Sequence, residues 1–196
     1  MKKTHKHHGH IVNFDNLPQQ YPTHQHSDLF WANLGRAVAT FGFLEEVLGK
    51  AIFALSATRP YTQDEIDTAY ENWLPKLKKA VSDPLHKLID EYEKAAKEHS
   101  QPLLENFADL ITDLNNAKKL RNMICHSSWR LPDQSGRSVP FFITPQGERF
   151  DQAIDTAYLE QLQRHVAELS CSVVTSITCN GWQFPGSNGP GKPIIV

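Results

Sequence analysis

Residues 120–130 read Leu-Arg-Asn-Met-Ile-Cys-His-Ser-Ser-Trp-Arg and bring Arg121, Asn122 and His126 into one short run. An arginine is a permanent cation whose planar fork matches two phosphate oxygens. A histidine takes or gives a proton near neutral pH. RNA carries its own nucleophile, the 2′-hydroxyl. Its cleavage needs a base for that proton, an acid for the 5′-oxygen leaving group, and a cation for the crowded phosphorane. His126 has the side chain for either proton transfer. Arg121 can clamp the non-bridging oxygens, and Asn122 can donate to phosphate or orient the imidazole. The scheme calls for no metal and no cofactor, in keeping with the lack of a carboxylate cluster. The same residues also fit a plainer role, the cation-dressed C-terminus of a helix.

That helix is legible upstream. Leu103, Phe107, Leu110, Leu114, Ala117, Arg121 and Ile124 recur at intervals of three and four, so Arg121 lies on the apolar stripe. A charge there needs an opposite charge beside it. The first long helix offers two carboxylates. Glu45 lies on the stripe Leu34, Val38, Phe41, Glu45, Leu48, Ile52, and Glu46 faces a row of glycines. Glu45 is the preferred partner and Glu46 the second. Five positions along a helix are about 500° of rotation, which points Arg121 and His126 about 140° apart. Asn122 and His126, four apart, share a face. Two copies meeting across a twofold axis would bring two histidines and two arginines into one cleft, and so supply an acid and a base. Lys118, Lys119, Ser127 and Arg130 are the candidate RNA contacts around this point. Lys118 and Lys119 also suit the negative end of a helix dipole, and Ser127 also suits a helix stop. Trp129 has the ring of a base-stacking residue, but core packing is its preferred role. Cys125 points away from His126 on a helix and is not read as a nucleophile.

The remaining elements follow from spacing and caps. A helix is expected from Ser27 or Asp28 to about Ala57, with Gly35, Gly42 and Gly49 in one row where another helix could come close. Thr62-Gln-Asp-Glu65 is a capping box for a second helix running to Trp73. Asp83-Pro84 starts a third, with proline at its first turn, through Leu85, Leu88, Ile89, Tyr92 and Ala96. Ser100-Gln-Pro102 starts the helix that ends in the Arg121–His126 run. Residues 128–150 read as a small hairpin or long loop. Asp155 or Thr156 caps a final helix through Leu159, Leu162, Val166, Leu169 and Val173. The fold class is therefore all-α: a bundle of about five helices with a small β-hairpin-like insert before the last. Residues 1–26 read as a flexible arm containing His5, His7, His8, His10, His24 and His26, whose metal affinity would be adventitious. Residues 27–180 form the helical domain, and residues 181–196 a loose tail rich in Gly and Pro.

The 196 residues include 40% hydrophobic and 21% charged residues with a formal net charge of −2, an ordinary composition for one domain with tails. Global attraction to polyanions is not supported. Local charge is different: residues 115–149 hold six basic side chains against two acidic ones. Three cysteines, Cys125, Cys171 and Cys179, form no disulfide framework and suit a reducing cytoplasm. The most apolar stretch, Ala37 to Ala57, is interrupted by Glu45, Glu46 and Lys50, so no membrane span or membrane partner is expected.

Taken together, these residues resemble the HEPN domain family, all-helical proteins of prokaryotic toxin–antitoxin and antiphage systems. The signature R-x4–6-H, with a polar residue after the arginine, stands here as Arg121, Asn122 and His126 near the end of a long helix. The acidic run Phe41-Gly-Phe-Leu-Glu-Glu-Val47 on an earlier helix and the insert before the final helix agree. The resemblance covers roughly residues 27–180. It implies metal-independent endoribonuclease activity at a homodimer interface, RNA as partner, and a cognate antitoxin or inhibitor protein. The family also holds inactive members, so a non-catalytic helical module binding a protein, nucleotide or RNA is the alternative.

Overall fold

A computed structural model describes residues 9–58, 62, 64, 68, 84–99, 104–144 and 146–187. Among these the fold is all-helical. Four α-helices, α1 (Asp28–Thr58), α2 (Leu85–Glu98), α3 (Phe107–His126) and α4 (Thr156–Thr178), follow one 3-10 turn at Phe14–Asn16. The helix expected over residues 62–73 lies outside the described residues, apart from isolated positions.

α1 is the centre of the bundle. It packs along α4 and α2 and crosses α3, while α3 also touches α2 and α4. Its length follows from its apolar periodicity: Leu34, Ala37, Phe41, Leu44, Leu48, Ala51 and Leu55 are all buried. Ser27 caps its start, the hydroxyl oxygen accepting from the Phe30 amide at 3.2 Å. Asp155 does the same for α4, accepting from the Tyr158 amide at 2.8 Å. The apolar residues expected on α2 and α4 are buried without exception. One polar link crosses the core, where Gln163 of α4 donates to the side-chain oxygen of buried Asn33 on α1 at 3.2 Å.

Several boundaries differ from expectation. Pro84 is extended and occupies the cap position of α2 rather than its first turn. α3 begins at Phe107, later than Pro102, after a turn at Glu105 and Asn106. The hairpin does not form a ladder. Three isolated antiparallel bridges, Ser128↔Phe141, Ser138↔Ile154 and Ile143↔Arg149, hold residues 128–154, and no strand occurs among the described residues. Both tails also contribute to the domain. His26 stacks on Phe30 at 4.2 Å and its Nε2 lies 2.9 Å from the Arg130 carbonyl, which can only accept, so Nε2 carries the proton. At the other end Phe184 is 7% exposed and joins the core, and Trp182 meets His99 edge-on at 4.4 Å. Residues on the tail side of both expected boundaries thus contact the helical domain. Among the described residues nothing comes close to Gly35 or Gly42, so that part of the expected groove takes no helix; Gly49 is buried.

Tyr92 ties three helices together. Its ring lies 5.6 Å from that of Phe107, and its hydroxyl is 2.6 Å from Ser176 Oγ. Ser176 donates to the Val173 carbonyl, so the phenol is the donor to Ser176. Burial pushes the Tyr92 hydroxyl up to about 12, from 10.0, against a smaller downward pull from Ser176. The neutral phenol is thus the folded form, and its stabilisation is complete below pH 10. Above that pH the unfolded chain ionises first, so stability falls by up to about 1.4 kcal/mol per pH unit until the folded phenol ionises in turn. In urea unfolding across an alkaline series, Tyr92→Phe is expected to remove this component. What remains of the alkaline decline then includes Tyr158, which burial also raises. At neutral pH the same substitution is expected to cost about 0.5–1.5 kcal/mol for the lost hydrogen bond.

Candidate active site

The last two turns of α3 carry the sequence motif. Leu110, Leu114, Ala117 and Ile124 face the core, so the helix phase is fixed and Arg121 is turned toward α1. There it meets Glu45, Nη2 to Oε1 at 3.4 Å, with both side chains roughly a quarter exposed (29% and 27%). The carboxylate comes from the α1 stripe between Phe41 and Leu48, as the periodicity anticipates. Glu46 lies elsewhere, forming an exposed pair with Lys50 at 2.6 Å.

The geometry of the Arg121–Glu45 contact is ionic rather than hydrogen-bonded. Glu45 Oε1 is buried and accepts no hydrogen bond. A guanidinium has five N–H donors, and this is the one ion pair or hydrogen bond Arg121 makes among the described residues. It is therefore held from one side and open on the other.

His126 is the last residue of α3 and is exposed. Among the described residues its ring has no hydrogen-bond or ionic partner. Asn122, one turn earlier, is exposed beside it on the same face. The helix then stops because the backbone turns extended at Ser127 (φ −76°, ψ 148°); the Ser127 amide closes the last turn on the Met123 carbonyl at 3.0 Å, and its hydroxyl donates to the same oxygen. Its hydroxyl proton is thereby engaged in the cap. Lys118 donates to Asn115 at 2.7 Å, while Lys119 extends into solvent. Cys125 is exposed, and like Cys171 and Cys179 it is a free thiol.

Trp129 packs rather than projecting as a platform. It meets Phe30 edge-on at 5.0 Å and is half-buried beneath His26. Arg130 is exposed, with its guanidinium carbon 4.7 Å from the centroid of the Phe141 ring. Arg149 approaches the same ring at 5.5 Å. Phe141 and Arg149 were not legible as site residues. Their partnership depends on the bridge register, and the only sequence signal is the alternation of Val139, Phe141 and Ile143. Among the described residues no group of three His, Cys, Asp or Glu is placed to hold a metal; His10, His24 and His26 are described, and His5, His7 and His8 lie outside that set. No described helix is long and apolar enough to cross a membrane.

Within one chain the structure thus brings Arg121 to Glu45 and Asn122 to His126, on two sides of one helix end. It does not bring Arg121 and His126 into contact. Comparison with protein-family models, with curated proteins and with solved structures finds no match.

The ion pair has a stability consequence. Removing the cation leaves a buried carboxylate oxygen with no partner, whereas removing both charges leaves apolar surface. Arg121→Met is expected to destabilise the fold by about 1–3 kcal/mol. Arg121→Met with Glu45→Leu is expected to recover most of that loss. Chemical denaturation of the wild type, both single variants and the double variant measures the coupling; additive single effects would mean that the pair is not felt in the folded state.

Proposed function

We propose that this chain is a HEPN-type endoribonuclease that cleaves RNA without a metal, acting as a homodimer. The observation that carries the reading is the end of α3. There an arginine anchored by Glu45 keeps donors open, and little more than one turn on, an exposed imidazole has no partner among the described residues. An anchored but open cation is pre-organised for a phosphate oxygen, which is what electrostatic catalysis requires. An exposed histidine with a free ring is available for proton transfer.

In the proposed reaction one His126 takes the proton from a ribose 2′-hydroxyl. The 2′-oxygen attacks the adjacent phosphorus, and Arg121 neutralises the non-bridging oxygens of the phosphorane. The bond from phosphorus to the 5′-oxygen breaks. The partner's His126 delivers a proton to that leaving oxygen. The products are a 2′,3′-cyclic phosphate and a 5′-hydroxyl end. Asn122, sharing a face with His126, orients the ring or donates to phosphate. Lys119 and Arg130 contact the flanking backbone. A toxin or antiphage role under a cognate inhibitor protein fits such an enzyme, as does a cytoplasmic setting.

A second reading has its own support. Arg121 and His126 diverge around α3, so one copy alone does not assemble a base, an acid and a cation about one phosphate. A non-catalytic module that binds RNA, a nucleotide or a protein at the same helix end accounts for that divergence.

Purified protein incubated with RNA in EDTA separates the two. For the nuclease, cleavage persists in EDTA and yields cyclic phosphate ends. His126→Ala and Arg121→Ala each lower the rate by about a hundredfold or more. Glu45→Gln lowers it less, because it loosens the arginine without removing it. A wild type that cleaves no better than the two alanine variants would leave the binding module. Sedimentation of the wild type tests the dimer.

A further inference from the structure

The insert that follows α3 carries a surface that the helix-end chemistry, apart from Arg130, does not use. Bridges at Ser128↔Phe141 and Ile143↔Arg149 place residues 139–143 between two antiparallel neighbours. Side chains of an extended segment alternate between faces. Pro140 and Phe142 turn inward, while Val139, Phe141 and Ile143 turn out, 40%, 38% and 52% exposed. Leu131 extends the outward face. An outward face of this kind is ordinarily polar. Here it is aromatic and aliphatic, and it is framed by two arginines whose guanidiniums both lie against the Phe141 ring.

The charges are the informative part. Arg137 is neutralised by Asp133 at 3.2 Å, and the backbone amide of Arg137, with further hydrogen bonds, holds the Asp133 carboxyl below its ordinary range. Arg130 and Arg149 make no ion pair among the described residues. Asp151 borders the same groove, of about 490 Å³, so these two guanidiniums leave it with a net positive charge. Two like charges gathered on one ring without a carboxylate between them fit an anion delivered from outside. A lipid headgroup supplies the anion but no ring to stack, and an acidic peptide stacks only where it also carries an aromatic side chain. Single-stranded RNA uses both: its bases stack on aromatic rings or arginine planes, and its phosphates take the cations.

We propose that the groove of Arg130, Phe141 and Arg149 binds a single-stranded segment of RNA adjacent to the helix end that bears His126. A base lies on the Phe141–arginine stack, and the flanking phosphates take the two guanidiniums. This assignment rests on RNA as the substrate, and it makes the insert the element that grips the strand while α3 bears the reacting groups.

The test uses a fluorescent 2′-O-methyl oligoribonucleotide, which has no 2′-hydroxyl to attack, so binding is read without cleavage. Arg130→Gln with Arg149→Gln is expected to weaken binding by about tenfold or more. It should also lower the slope of log K against log salt by about 1.4, the share of two phosphates on a single strand. Phe141→Ala is expected to weaken binding by about fivefold or more with the salt slope unchanged. Phe141→Leu, which keeps the bulk and loses the ring, is expected to do the same, so a collapsed insert in the alanine variant does not decide the matter. Binding unmoved in all of these variants overturns the groove. Tighter binding to phosphatidylserine vesicles than to the oligonucleotide, or preference for duplex RNA, also overturns it. Unmodified RNA is assayed in parallel. If the groove variants lose binding while the wild type cleaves nothing, the groove stands and the nuclease fails. If cleavage depends on His126 while the groove variants bind and cleave as wild type, the nuclease stands and the groove fails.

Discussion

A guanidinium on the core-facing row of a helix has to be answered by a carboxylate, and in this protein Glu45 answers Arg121 across the α1–α3 crossing. Every other feature of the helix end depends on that placement. Leu114, Ala117 and Ile124 bury the row on which Arg121 sits, so the helix phase starts the arginine side chain toward α1. Glu45 is equally constrained, between Phe41 and Leu48 on the central helix. The pair is about a quarter exposed rather than sealed, which leaves the charge attached to the interior and the remaining donors accessible. A fully buried pair would be a structural device only, and a fully exposed one would position nothing.

The remainder of the bundle makes this crossing rigid. α1 touches all three of the other helices, and Tyr92 joins α2 to α3 and α4 through a ring contact and a hydrogen bond. Reactive groups gain from rigid support, since small errors in position are expensive in rate. His126 is different. It closes α3 at the surface, fixed in the backbone by the Ser127 cap but not in its ring. One member of the motif is thus pre-positioned by the core, and the other is left for an incoming substrate or a second copy to orient.

What was legible in the sequence follows from how local the cause is. Apolar periodicity and caps locate α1 and α2 to within a residue or two, because each buries one stripe; for α4 they place the start, and the helix runs on past Val173 to Thr178. The anomaly at Arg121 was visible for the same reason: it interrupts a stripe, and Glu45 interrupts another. Ser100-Gln-Pro102 is a good local start signal that lies outside the described residues; the chain turns at Glu105 and Asn106, and α3 begins at Phe107. The contacts of His26 and Phe184 carry no local signal, because their surroundings are rich in Gly, Pro and Asn. Their places depend on Phe30, Trp129 and the rest of the core, partners distant in sequence. The insert was the least legible part. Three isolated bridges leave no alternating run long enough to announce itself, and the meeting of Arg130 and Arg149 over one ring depends wholly on register.

Two backbone hydrogen bonds join Ser128 and Phe141, at 3.2 and 2.8 Å, only two residues beyond His126. A pivot at that joint is therefore splinted by the chain itself. The backbone under the Phe141 ring is thereby tied close to the backbone of His126, while the imidazole itself keeps its side-chain freedom. The insert is less a flap than a ledge, its place beside the end of α3 set by main-chain bonds.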